Sequence, residues 1–205
     1  GGMKMERFVK HPFWKKSDAF KYTYCFGMGV MAMGHMKAIA ETQQFFEETL
    51  EQIALPPQQC QQILPDINNQ FERMLDQVIR TIRTKEEQYC FVLDLYSIRR
   101  HTSWARQYCD GVLEEYLQIF QFSAMERIFF QDLDRAMTES DPAKATGAYR
   151  CFVEEGYHIR YDVVTYFYPE FCIQAQAKGL HIETGKALLL DVPMTIHGDV
   201  VVERG

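Results

Sequence analysis

Glu154, His158 and Asp162 follow one another at four-residue steps, so an unbroken helix would line up two carboxylates and an imidazole on one face. Oxygen and nitrogen donors in such a row suit a divalent cation. Gly156 falls between them and weakens or divides the helix that the row requires. A solvated helix face is the favoured reading, and no metal is expected. The pairs His181-x-Glu183 and His197-x-Asp199 set an imidazole beside a carboxylate on one strand face, where they could move protons. On a strand whose other face is apolar, these are simply the outward positions. Cys109 and Cys151 are nucleophile candidates only if folding brings a histidine to one of them. The chain has no Gly-x-Ser-x-Gly elbow, no glycine-rich phosphate loop and no His-Glu-x-x-His helix, and Gly27-x-Gly29 reads as a close helix approach. With no catalytic signature, a non-enzyme is favoured and no cofactor is expected.

Two groups of residues are candidates for binding. Arg99, Arg100, His101, Trp104 and Arg106 concentrate positive charge and one of two tryptophans at a helix turn, a surface suited to an acidic protein partner or phosphate. Tyr157, Tyr161, Tyr166 and Tyr168 crowd one aromatic segment, and each hydroxyl needs a partner if buried. Some must face solvent, a groove or a neighbouring subunit. The alternative function is therefore a small-ligand-binding or metal-dependent protein using the aromatic helix 149–171.

The elements that position these residues are helical. At 205 residues, 47% hydrophobic and 14% aromatic, the chain can bury a substantial core. A net charge of −6 argues against a general nucleic-acid binder, so none is favoured as a partner. Positive charge gathers at the start, with Lys4, Arg7, Lys10, Lys15, Lys16 and Lys21 around Phe13 and Trp14. Residues 1–16 therefore read as a basic N-terminal arm, with Gly1 and Gly2 an expression remnant before Met3. The apolar window Tyr22 to Ala40 is interrupted by His35 and Lys37, too early to span a bilayer, and reads as a buried helix. Cysteines 25, 60, 90, 109, 151 and 172 form no Cys-x-x-Cys pair and read as reduced core residues of a cytoplasmic protein.

Residues 17–178 read as a helical bundle. An amphipathic stripe predicts a helix from Asp66 to Arg83, opened by Pro65-Asp66. Pro56-Pro57 stops the helix before it. Ser123 with Glu126 forms a capping box, and Asp141-Pro142 opens a later helix that Gly156 divides. An internal repeat runs through the bundle. Tyr24-Cys25-Phe26 returns as Tyr89-Cys90-Phe91, and Glu47-Glu48-x-Leu50-x-x-Ile53-x-Leu55-Pro56 returns as Glu114-Glu115-x-Leu117-x-x-Phe120-x-Phe122-Ser123. The fold expected is mainly α, a pseudo-symmetric helical bundle with a short C-terminal β segment.

The segments Ile53-Ala54-Leu55-Pro56-x-x-Gln59 and Phe120-Gln121-Phe122-Ser123-x-x-Glu126 resemble the repeat unit of TerB-like tellurite-resistance domains. Over residues 17–137 the likeness implies an all-helical, pseudo-twofold fold. The family carries an acidic Asp-Gly loop upstream of each such segment, where metal binding is suspected. Here those places hold Gly34-His35 and Arg100-His101, so no metal role is carried over.

The last stretch, 179–205, changes period. Ile182, Leu188, Met194 and Val200 recur every sixth position, as do Leu190, Ile196 and Val202. An even spacing keeps each row on one strand face, which is similar to the start of a hexad β-solenoid. Such a tail is expected to join a longer solenoid, cover the helical body or pair with another chain. The function expected is a non-enzymatic helical interaction or assembly module, with a protein partner or self-association and no membrane span.

Overall fold

The computed structural model describes residues 9–35 and 40–169, and the backbone of short tail segments between 180 and 201. The protein is mainly helical, as its periodicity predicts. It divides into two compact units, Gly1–Tyr116 and Leu117–Gly205.

In the first unit α1 (Asp18–Met33) is the central element, packed by α2 (Ala40–Gln52), α3 (Pro57–Asn69), α4 (Phe71–Thr81) and α5 (Lys85–Arg100). Ser17 caps α1 by accepting from the Phe20 amide at 3.1 Å. From Thr23 to Ala32 every α1 residue is buried, as is every α5 residue from Gln88 to Ile98. A helix apolar all round belongs in a core, and among the described residues no helix is long and apolar enough to cross a membrane. The tight meeting of α1 and α5 depends on Gly27. A Cβ there would fall 2.8 Å from Phe91 Cζ, and the Gly27 carbonyl accepts from Tyr116 at 3.1 Å.

The expected single helix from Asp66 to Arg83 is corrected. Pro65 lies inside α3 rather than opening a helix, and the chain breaks at Gln70 (φ −132°) before α4 begins. Ile63 of α3 and Met74, Val78 and Ile82 face the core, while Phe71 and Ile79 stay exposed. A continuous stripe on paper therefore belongs to two helices with separate packing.

In the second unit, where α6 (Arg106–Ile119) ends, α7 (Ala124–Thr138) and α8 (Pro142–Glu154) pack together and α9 (Tyr161–Phe167) follows. The predicted starts appear as read. Ser123 and Glu126 exchange both capping-box bonds, and Asp141 accepts from the Lys144 amide at 3.1 Å. Phe129, Phe152 and Tyr157 stack in a column, with centroid spacings of 3.8 and 4.7 Å and planes within 9° of parallel.

Ala54, Gln121, Ser140 and Gly156 all carry positive φ, and each follows a helix. Leu55 and Phe122 donate back to Leu50 and Leu117 at 3.0 Å, and Asp141 and Tyr157 return to Ala136 and Phe152 at 2.8 and 3.2 Å. Each is the six-to-one bond of a Schellman cap, satisfying carbonyls that the ended helix leaves over. Ala54 and Gln121 occupy matching positions of the internal repeat, so the repeat extends from residue types to backbone conformation.

In the tail, the backbone pairs Leu180–Glu183 (β1) with Lys186–Leu189 (β2) and Ile196–His197 (β3) with Val200–Val201 (β4), both antiparallel. The side-chain rows of the hexads and the boundary expected at 178/179 lie outside the described residues.

Candidate functional site

The sequence places His11 in a lysine-rich lead-in, yet the fold buries it completely. Pro12 supplies the reason locally. With φ preset at the second position of a β-turn, it lets the Trp14 amide return to the His11 carbonyl at 3.0 Å. The His11 amide in turn donates to the Gln52 carbonyl at the end of α2, also at 3.0 Å. Residues 11–16, expected to belong to a basic arm, are thus partly core: His11 is fully buried and Phe13 is 2% exposed. Within that stretch, residues 1–8 lie outside the described residues.

Around the imidazole stand groups of reactive type. Cys90 and Asp94, one turn apart on α5, face it together with Tyr24 of α1, and all are buried. His11 Nε2 lies 2.8 Å from Asp94 Oδ2, the Tyr24 hydroxyl donates to the same oxygen at 2.5 Å, and Cys90 Sγ is 3.9 Å from Nε2. Phe13, Tyr24 and Phe91 close the cage with edge-on ring contacts at 5.2–5.5 Å.

One bond decides the protonation pattern. The Phe13 amide donates to His11 Nδ1 at 3.0 Å, so Nδ1 is an acceptor and the ring proton sits on Nε2, pointing at Asp94. Asp94 then accepts from two donors, as a buried carboxylate must. Burial first, and then the negative charge of Asp94, hold the Tyr24 hydroxyl well above its ordinary value; the same causes, in the same order, raise Cys25.

This wiring excludes two kinds of chemistry. A Cys–His–Asp relay needs one imidazole nitrogen on the thiol and the other on the carboxylate. Here Nε2 faces both, protonated, and Nδ1 is occupied by backbone. A metal on Nε2 would need the proton on Nδ1, where the Phe13 amide already points. The 2.8 Å between Nε2 and Oδ2 is also shorter than the roughly 3.3 Å that two donors keep across a tetrahedral ion with bonds of about 2.0 Å. The cluster is a closed hydrogen-bonded lock.

Lys21 makes a second lock beside it. Its ammonium, buried on α1, donates to the Ala54 carbonyl at 2.9 Å and the Trp14 carbonyl at 3.2 Å. The charge sits where α2 ends, the favourable place for a cation.

The sequence-predicted candidates fare differently. Glu154, His158 and Asp162 share no helical face, because α8 ends at Glu154, Gly156 turns at φ 91°, and α9 begins only at Tyr161. Arg160 grips Asp162 at 2.7 and 2.8 Å. The expected aromatic helix is likewise interrupted. The Tyr157 hydroxyl is 2.9 Å from Ser123 Oγ, Tyr168 is buried, Tyr166 is half-buried edge-on to Phe167, and the Tyr161 side chain lies outside the described residues.

The arginine segment is largely consumed by its own turn. Arg99 pairs with Asp110 at 2.5 Å, Arg100 donates to Ser97 Oγ at 3.1 Å, and the His101 ring stacks on Phe45 at 3.9 Å. Trp104 meets the His35 ring edge-on at 5.1 Å, its Nε1 buried without a hydrogen-bond partner among the described residues, and Arg106 is exposed. Cys109 is buried, and burial pushes its thiol up, away from a reactive thiolate.

Sequence reading missed the His11 cluster because its partners are 83 residues apart. The available signal was Asp94 itself, a lone carboxylate in the run Tyr89 to Ile98 that a buried helix must explain. Compared with family models, curated proteins and solved structures, the chain finds no match.

Proposed function

We propose that this protein is a non-enzymatic helical interaction module that works by presenting fixed surfaces to a protein partner or to another copy of itself. One observation carries the reading. The one buried His–Cys–Asp group among the described residues is wired as a structural lock, with the imidazole unable to serve the thiol as a base. Meanwhile apolar residues that a core would absorb stand outside: Leu64, Phe71 and Ile79 in the first unit, Ile119 and Ile128 in the second. Exposed apolar side chains in rows mark association surfaces more than chemistry. A cytoplasmic setting is part of the proposal and is supported by the described cysteines, all of them free thiols. Similarity to TerB-like domains belongs here too, supported by the matching turns at Ala54 and Gln121. The β tail, 179–205, is assigned to assembly by its hexad rows.

The test is a thermal-shift panel of divalent cations and metabolite classes on the full chain. No ligand is expected to raise the melting temperature. Stabilisation by one metabolite or metal, removed by EDTA or by a single buried substitution, would overturn the reading.

A further inference from the structure

We infer that the outer flank of α4 pairs antiparallel with the same helix of a second copy of the chain, forming a twofold contact. This rests on the interaction-module reading and names its partner.

The first observation is a row without a cover. Met74 and Val78 turn into the core of the first unit, whereas Phe71 and Ile79 remain 39% and 36% exposed and Leu75 is half-buried. Residues 71, 75 and 79 follow at four-residue steps, so they lie in one line along the helix.

The second observation is charge that nothing uses. Glu72 stands in the first turn of α4 and Arg80 in the last, both exposed. Neither makes an ion pair or hydrogen bond among the described residues. By contrast Arg73, on the same helix, is held by Gln70 at 3.1 Å.

A twofold axis through Leu75 satisfies both. It sets Phe71 against Ile79 of the second copy and Leu75 against its own counterpart, so the row covers itself. The same operation lays the acidic first turn beside the basic last turn, bringing Glu72 across from Arg80 twice, while exposed Asp76, midway along the same line, comes beside its own counterpart. The two Glu72–Arg80 approaches exist only in the antiparallel arrangement, and the apolar row supplies closure. Three apolar side chains per copy make a contact at the small end of protein interfaces. Such a contact holds weakly, so pairing is expected to rise with concentration across the micromolar range.

Sedimentation equilibrium of the full chain, from about 0.1 to 100 μM, tests the pairing. The wild-type mass is expected to climb from one chain towards two. Ile79→Glu should stay at one chain with unchanged circular dichroism and melting temperature. Glu72→Arg should weaken pairing about tenfold or more, and adding Arg80→Glu should restore it to within about threefold of wild type. A wild-type mass of one chain throughout overturns the inference, as does an Ile79→Glu protein that pairs normally or a reversed pair that fails to rescue. None of these outcomes depends on ligand-induced stabilisation, so the interaction-module reading stands or falls separately.

Discussion

The amide of Phe13 and the ring of His11, two residues apart, set the character of the one reactive-looking cluster in the described fold. By donating to Nδ1 at 3.0 Å, a backbone group forces the ring proton onto Nε2 and so turns His11 from a base into a donor for Asp94. The cluster therefore anchors the Lys10–Lys16 turn to α1 and α5.

Removing one member should then destabilise the fold without altering any activity. Asp94→Leu strands two buried donors, His11 Nε2–H and the Tyr24 hydroxyl, at about 1–3 kcal/mol each. A lower urea midpoint with unchanged slope is the expected outcome. Added zinc should leave the wild-type midpoint where it is; a zinc-dependent rise lost in Cys90→Ser would show a metal site after all.

Alkali should unfold the protein and ionise its buried tyrosines together. Burial pushes up the hydroxyls of Tyr24, Tyr116 and Tyr149, and of Tyr22, which hydrogen-bonds Asp66. Since the folded values exceed the unfolded one, their stabilisation is whole below about pH 10 and is lost as pH rises further, where the unfolded chain sheds protons the fold retains. Tyrosinate absorbance and far-ultraviolet dichroism should change in one transition. Full ionisation near pH 10 with helicity intact would contradict the burial.

Gly27→Ala is a packing test. The new methyl would sit 2.8 Å from the Phe91 ring and 3.2 Å from Val78 Cγ1, so α1 and α5 must move apart at about 1–3 kcal/mol. Gly147→Ala, with nothing within 4 Å of the added carbon, should cost little or stabilise. Equal melting temperatures for the two variants would argue against the close approach.

The helix-ending turns offer the opposite sign. Gln121 and Ser140 hold φ of 56° and 52°, a conformation that costs a side-chain-bearing residue roughly 1 kcal/mol. Gln121→Gly and Ser140→Gly should each raise stability by up to that amount, less the backbone entropy glycine adds to the unfolded chain. Thermal melts of the single and double variants check both the sign and the additivity.

Local signals carried most of the helical fold. Ser123-x-x-Glu126 and Asp141-Pro142 opened helices where they stand, because a cap is satisfied within its own first turn. Gly156 divided the aromatic segment for the same local reason. Pro65 misled, since it stands inside α3 on an exposed position instead of opening a helix, and the break fell at Gln70, which no residue type announces. His11 was illegible for a deeper reason. Its neighbours in sequence are lysines and its neighbours in space are Tyr24, Cys90 and Asp94, joined only once α1 and α5 have met.

Lys21 looks, in the sequence, like one more amine in a basic cluster. Held between the carbonyls of Ala54 and Trp14, it has become a part of the backbone's own bonding and has left the pool of surface amines. A reagent or enzyme that acylates lysine would reach Lys10, Lys15 and Lys16 freely, yet would touch Lys21 only in a chain that had already opened. Its modification would thus report the folding history of a molecule, and a molecule once marked there could not close in the same way again.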